Sequence, residues 1–448
     1  MFDKVLVANR GEIACRIMQA CRELNIATVA VYSEADRDAL HVRMADEAVC
    51  IGPPPNVDSY LNAASILSAA VITGADAIHP GYGNLSEDAH FAEACEACKL
   101  TFIGPPAHAI ARMGDKSQAR TTVREAGVPV VPGSSDGIRD AAEAREIARE
   151  LGYPVMIKAA GGGGGRGIRI LHNDEQVGAA VESAASEARS AFGNGELYVE
   201  KYLEDLRHVE VQILADQQGN IVHLGERECS IQHRMQKLLE EAPCAAVSAS
   251  LRRKLGEAAI RAAQAVGYTN AGTVEFVLDP RGRFFFIEMN TRIQVEHAVT
   301  EMLTGIDIVR EQMRLAAGEQ LKYEQGGIWF NGHAIECRIL AADSEHGFQP
   351  SPGTITRWEM PGGPGVRVDT GVCEGSVVST HYDPMIAKVI CWDQDRAAVI
   401  ERMGAALRGM RVEGVKTSIP YHLKLLGNAY FRRGEVTTQF VERRMPLP

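Results

Sequence analysis

In the stretch VMIKAAGGGGGRGIR, Val155–Arg169, a short apolar strand carrying Lys158 runs directly into five consecutive glycines, Gly161–Gly165, followed by Arg166 and Gly167. A packed core has no use for five glycines in a row. Without Cβ atoms the backbone can turn its N–H groups inward and approach a phosphate closely, while a lysine leaving the strand brings positive charge to the same oxyanions. The run is not a Walker A sequence, and a flexible surface turn is the plain alternative, but the pattern predicts a phosphate-covering hairpin.

Working outward, the spacing predicts helices over Ala141–Leu151 and Glu175–Ala191 and strands over Val155–Ala159 and Ile168–Leu171. Residues 131–203 therefore read as a small mobile lid. The amino-terminal segment reads strand Val5–Ala8, turn Asn9–Gly11, helix Glu12–Leu24 and strand Thr28–Val31, a Rossmann-like βαβ unit on a parallel sheet. Its turn, ANRGE, has one glycine and no GxGxxG, which argues against dinucleotide binding there. Beyond 204 come alternating strand patterns (HVEVQILAD, NIVHLGE), a helix over Ser250–Val266 and the hairpin VEFVLDPRGRFFFIEMN. The expected class is α/β and α+β. The expected division is 1–114, a helical linker 115–130, the lid 131–203 and a larger unit 204–448; at 448 residues several units around one site are expected.

The hairpin around DPRGR brings Glu275 and Glu288, with Asn290, onto neighbouring strands. Two carboxylates and an amide suit magnesium, which takes few protein oxygens and keeps substrate phosphates and water; a salt-bridged sheet face is the bland alternative. MNTRIQVEH, Met289–His297, then crowds Arg292, Gln294, Glu296 and His297 into six positions. The Arg292 fork suits a bidentate carboxylate or bicarbonate, and Glu296 can accept a proton from the anion so held.

Composition narrows the partners. With 47 Lys plus Arg against 58 Asp plus Glu, the net charge of -11 repels a polyanion, so nucleic acid is not an expected partner. No signal peptide is recognised, and Ala63–Ile78, the most extended apolar stretch, is broken by Ser, Thr, Gly and Asp, so no membrane partner and a cytoplasmic location are expected. Ten scattered cysteines, 46% hydrophobic residues and 23% charged residues describe a folded chain without a disulfide framework; Cys95 and Cys98 form a CxxC with no second pair.

ANRGEIA, HPGYGNLSE, FIGP, MGDK, KAAGGGGGRG, EKYL, RHVEVQ, EMNTRIQVEH and GHAIECRI, in this order and almost end to end, resemble biotin carboxylase, the ATP-grasp component of acetyl-CoA carboxylase and related biotin enzymes. The resemblance implies an ATP-grasp fold with a Rossmann-like amino-terminal part, a glycine-rich lid and a carboxy-terminal part. It implies a two-step ligase reaction in which bicarbonate and ATP give carboxyphosphate, which then carboxylates biotin. ATP, magnesium or manganese, bicarbonate and carrier-bound biotin are the implied cofactors and substrates. Carried over by motif, Lys116, Lys158, Gly163, Gly164 and Gly165 contact ATP phosphates, Glu200, Lys201 and Leu203 frame adenine, and His208 and Gln232 reach the ribose. Glu275, Glu288 and Asn290 hold the metal. Lys237, Arg292, Gln294 and Val295 cradle bicarbonate with Glu296 as base, Arg338 stabilises the biotin enolate-like oxygen, and Tyr82 lies beside biotin. Taken alone, Lys237 and Arg338 would read as ordinary surface charges.

There are departures from the family pattern. Met235 in CSIQHRMQK stands where a histidine or asparagine is usual. Read as one strand, His233 would share its face at about 6–7 Å and could not replace it. Asn84 replaces the common phenylalanine of GYGFLSE, and Gln19 and Pro364 stand where some bacterial homodimers have an interfacial arginine and phenylalanine. A homodimer is still expected. No AMKM-like biotin-attachment turn is present, so a separate biotin carboxyl carrier protein and separate carboxyltransferase subunits are the expected partners. The nearest rival is a carbamoyl phosphate synthetase half, which passes carboxyphosphate to ammonia; ANRGEIA, GHAIECRI and HYDPMIAK favour biotin. A noncatalytic ATP-binding protein with a regulatory role is a second rival.

Overall fold

Alternate residues of the first strand serve two cores, which is what a strand covered on both faces by helices requires. In the computed structural model, which describes residues 1–134, 137–159, 168–192, 195–234 and 236–446, strand β1 (Lys4–Val7) sends Val5 and Val7 to one side and Leu6 to the other. With β2 (Ala27–Ser33), β3 (Glu47–Gly52), β4 (Ala77–His79) and β5 (Thr101–Phe102) it forms a parallel sheet in the order β3-β2-β1-β4-β5. The helix Gly11–Glu23 covers one face with Ile13, Ile17 and Met18; Ile66 and Phe91, from the helices Ala63–Thr73 and Ala89–Ala97, cover the other. At the carboxyl ends of β1 and β4, the Asn9 amide donates to the carbonyls of Pro80 and Tyr82, both at 2.7 Å, and so ties the turn that leads into Glu12 to the loop that carries Tyr82.

The glycine-run neighbourhood is a three-stranded antiparallel sheet, β7-β6-β8, of β6 (Val155–Ala159), β7 (Arg169–Leu171) and β8 (Leu197–Lys201). Val155, Ile157 and Ala159 face the helices Ala141–Leu151 and Val177–Phe192, packing on Ala144, Ala148 and Ala184. The two-residue period of the strand then turns Met156 and Lys158 to the opposite face. The glycine run itself, with Gly163, Gly164 and Gly165, lies outside the described residues, as does Met235.

The rest of the site is built on an eight-stranded antiparallel sheet. Its members are β9 (Arg207–Ala215), β10 (Ile221–His233), β11 (Gln236–Ala242), β12 (Asn270–Leu278), β13 (Phe284–Asn290), β14 (His333–Leu340) and the strands Met385–Asp393 and Val366–Thr370. They run β13-β12-β9-β10-β11-β14 and then Met385–Asp393 and Val366–Thr370. Val209, Val211, Val274 and Phe276 face the helix Ala249–Gln264, so the intervening Glu210, Gln212, Thr273 and Glu275 face the other way. That polar face is roofed by the segment after β13 and the helix His297–Thr304, which is why its charges are buried.

Two sequence expectations need correction. CSIQHRMQK is a hairpin and not one strand: β10 ends at His233, Arg234 takes the left-handed conformation (φ 48°) that reverses the chain, and His233 pairs with Gln236. His233 stacks on Phe348 at 5.7 Å. The helix expected from Ser250 instead spans Ala249–Gln264, with Ser248 capping it by accepting from the Leu251 N–H. The apolar stretch 63–78 divides into the helix Ala63–Thr73 and β4, and among the described residues no helix is long and apolar enough to cross a membrane. All ten cysteines are free.

Candidate active site

The three sheets meet around one cavity of about 1400 Å³. Its walls include Tyr82 and Asn84 from the first sheet's loops, Lys158 and Glu200 from the small sheet, and Lys237 and Arg338 from the large one. Every described residue singled out from the sequence as a site candidate lines this single space.

At its centre Lys237 is a cation shared by three carboxylates. Its Nζ donates to Glu296 at 2.6 Å, Glu210 at 2.7 Å and Glu275 at 3.2 Å. Arg338 grips the same base from the other side, with its Nη2 donating to Glu296 Oε2 at 2.9 Å and its Nε to Glu240 at 2.6 Å. Burial alone would raise the Glu296 carboxyl, but Lys237, Arg338 and Arg227 more than reverse this and hold it well below the usual carboxylate range. Burial opposes the Lys237 charge as well, and the three carboxylates keep its pKa well above an ordinary lysine's. Glu296 is therefore ionised and in the proton-accepting form. An anion seated among these cations would draw them from Glu296 and strengthen it as a base.

Beside this centre, Glu275 and Glu288 stand directly opposite each other across β12 and β13. Asn290 and Gln294 each donate to Glu275 Oε1 at 2.8 Å, and Glu275 Oε2 lies 2.9 Å from His208 Nε2. Burial and the facing Glu275 charge raise Glu288, whose nearest cation, Lys116, is 3.7 Å away. Two facing carboxylates with an amide oxygen alongside are hard donors, and a divalent cation would relieve the repulsion felt by Glu288, so the set fits magnesium. The Asn290 Oδ1 presently accepts from Arg292 at 2.9 Å. The Arg292 fork is also held by Glu87 at 2.8 Å, so an incoming anion must compete with Glu87 for it.

Toward the small sheet, Lys158 pairs with Glu200 at 2.5 Å, and Arg120 closes on the other Glu200 oxygen. The Glu200 side chain thus lies between Lys158 and Arg120. The Lys201 ammonium donates to the carbonyls of Gly152 and Tyr153, at 2.7 and 3.2 Å. Leu203 lines the cavity. His208 and Gln232 contact each other at 3.0 Å. The other His208 nitrogen lies against Glu275. Tyr82 donates its hydroxyl to Glu12.

Three family models cover this chain in order. Residues 1–110 match the N-terminal domain of biotin carboxylase, 115–324 the ATP-binding domain of the carbamoyl-phosphate synthase L chain, and 336–443 the C-terminal domain of biotin carboxylase. Biotin carboxylase 1 of Bacillus subtilis is 55% identical over 443 residues, covering 99% of this chain and 98% of that protein. The chain belongs to the biotin carboxylase family. The small subunit of 2-oxoglutarate carboxylase from Hydrogenobacter thermophilus is 52% identical, over 99% of this chain and 93% of its own. Among solved structures, the biotin carboxylase domain dimer of that same carboxylase, in complex with MgADP, ADP and bicarbonate, superposes with a TM-score of 0.92. It is 51% identical and covers 99% of this chain and 97% of that one. The fold is accordingly the ATP-grasp fold of an ATP-dependent ligase.

Compared with the biotin carboxylase pattern, Asn84 adopts φ 45° and accepts from Asn56 at 3.1 Å, a polar pair on the cavity wall. Gln19 and Pro364 are both exposed; Gln19 reaches Glu23 at 3.3 Å and the Pro364 carbonyl accepts from Arg402. Several site residues carried no signal of their own. Arg227, fully buried, donates to Glu210 at 2.6 Å, Gln212 at 2.8 Å, and Thr300, Thr273 and Gln294 at 3.0 Å, and so orients Gln294. Glu12, Glu87 and Glu210 sat inside quoted motifs with no part assigned to them.

Proposed function

We propose that this chain uses ATP to activate bicarbonate and carboxylates a biotin group borne on a carrier protein, through carboxyphosphate. The observation that carries this reading is the Lys237–Glu296–Arg338 constellation in the cavity that also holds Lys116 and Lys158. Lys237, Arg292, Gln294 and the Val295 main chain hold bicarbonate, and Glu296 takes its proton. Lys116, Lys158 and Gly163–Gly165 stabilise the phosphates, with Leu203 and the main chain of Glu200 and Lys201 beside the base and Gln232 near the sugar. Glu275, Glu288 and Asn290 would hold a magnesium ion, which neutralises phosphate charge when bound. Biotin enters beside Tyr82, and Arg338 stabilises the negative charge on its ureido oxygen.

In this reading residues 131–203 form the lid over a linker 115–130, with 1–114 and 204–448 forming the two walls. The small sheet's own apolar core supports the lid as a unit. The carrier and a carboxyltransferase are separate partners in the cytoplasm, and the chain pairs with a second copy, as the Hydrogenobacter thermophilus domain does. The final acceptor, whether acetyl-CoA, propionyl-CoA, pyruvate or another 2-oxo acid, is chosen by the transferase.

A second reading has ammonia as the acceptor, favoured by the carbamoyl-phosphate synthase model over residues 115–324. The experiment is ADP release by the purified chain with magnesium, ATP and bicarbonate, alone, with free biotin, or with ammonia. Stimulation by biotin is expected; stimulation by ammonia alone would replace the proposal.

A further inference from the structure

The motif HYDPMIAK, residues 381–388, favours biotin in the sequence, yet no residue in it has a part in the chemistry above. Its last residue, Lys388, is fully buried. The Nζ donates to the main-chain carbonyl of Val295 at 2.5 Å, with Glu12 at 3.4 Å and Asp369 at 3.8 Å. Burial by itself would strip the charge from such a lysine, but Glu12, Glu336 and Asp369 raise its pKa above the ordinary value, so it stays an ammonium. Burying this charge is costly, and a buried ion pair is poor evidence for stability alone. What the lysine touches is more telling.

Lys388 lies directly across the strand pair from Arg338. These two neighbouring cations take hold of consecutive residues of one short segment: Arg338 binds the Glu296 side chain, and Lys388 binds the carbonyl of the peptide that precedes it. Lys388 is in turn held by Glu12, at the start of the Gly11–Glu23 helix, whose Oε1 also accepts from Tyr82 and whose Oε2 is buried without a partner. We infer that Lys388 is a positioning residue that fixes the Val295–Glu296 peptide, and with it the proton-accepting carboxylate, and that Glu12 holds Lys388 in place. The inference rests on the reading of Glu296 as the bicarbonate base. The titratable groups facing Lys388 are Glu12, Glu336, Arg338, Asp369 and Arg367, with the His297 imidazole, whose pKa burial and the neighbouring cations push well below its ordinary value, from several separate elements. Deleting the ammonium leaves the Val295 carbonyl without this donor and lets the peptide turn.

The test uses K388M, which keeps the bulk and removes the charge, and E12Q, which keeps the shape and weakens the hold on Lys388. Both are assayed in the full chain for bicarbonate-dependent ADP release, with the melting temperature and the KM for ATP measured on the same preparations. A displaced base costs on the order of a hundredfold, so K388M should lower kcat/KM for bicarbonate by about that factor while the KM for ATP stays within about twofold. E12Q should show the same split with a smaller fall. Wild-type bicarbonate kinetics in a folded variant, or parallel losses for ATP and bicarbonate, overturn the inference; if K388M does not fold, E12Q decides. E296Q is run beside them. Turnover surviving in E296Q would remove the proposed base itself, whereas its loss beside normal K388M and E12Q defeats the positioning role alone.

Discussion

Replacing Lys237 with methionine removes the one ammonium that Glu210, Glu275 and Glu296 share. Two consequences follow from those distances. In the wild type Lys237 helps hold Glu275 and Glu296 well below the usual carboxylate range, so their contribution to stability is present at neutral pH and is lost as the pH falls through their folded pKa values. Without Lys237 the folded pKa values rise, and at neutral pH the chamber holds carboxylates that have lost their shared partner. Breaking a buried ion pair from one side costs about 3–5 kcal/mol. That penalty should shrink on acidification, by up to about 1.4 kcal/mol per pH unit for each proton the variant takes up. The kinetic consequence comes from the loss of one charge-stabilising donor, about 10²–10³ in turnover. Denaturant unfolding of K237M and wild type across a pH series, paired with bicarbonate-dependent ADP release, reads both effects. A stability difference that stays constant or widens toward acid, with the acidic limb of the activity profile unmoved, would refute the assignment of Lys237 as the shared counter-ion.

Glu240 is pushed up to about 7 by burial, which outweighs the pull of Arg338; the group therefore costs stability as the pH rises from 4.5, where it titrates when unfolded, to about 7. E240Q should flatten that part of the stability profile, and equal slopes by calorimetry would count against it. Gly371 packs where a Cβ would fall 2.5 Å from the backbone of Gly11 and 2.6 Å from that of Glu12. G371A should therefore destabilise the fold by about 1–3 kcal/mol in denaturant unfolding, and should lower bicarbonate turnover through Glu12. Unchanged stability would show that the helix start can move aside freely.

The elements were legible wherever a period was clean. The two-residue alternation in β6, β9 and β12 fixes which side chains face the cavity, and the helix Ala141–Leu151 and strand β6 fall where the spacing placed them. The hairpin at Arg234 was not legible, because a left-handed arginine carries none of the Gly, Asn or Asp signals by which such turns are read. Arg227 was missed for a related reason: an arginine on a strand is commonly a solvated charge, and only tertiary burial turns it into the hub for Glu210 and Gln294. Motif matching named Arg292 and Glu200 but not their partners Glu87 and Arg120, since a pair formed across distant segments leaves no local pattern in either.

Those pairings also explain how one chamber holds carboxylates of opposite character. Glu275 and Glu296 touch Lys237 directly and are pulled down; Glu288 and Glu336 lie farther from a cation and close to another carboxylate, and burial pushes them up. The split follows from the order of the strands. Lys237 is on β11, reached by Glu210 and Glu275 from β9 and β12, while Glu336 stands directly opposite Glu240 on the far side of β11, with neither of its oxygens hydrogen-bonded. A carboxylate held down by cations and carboxyls pushed up by burial therefore stand in one chamber. An anionic substrate arriving at Lys237 and Arg338 meets the two cations that hold the base ionised.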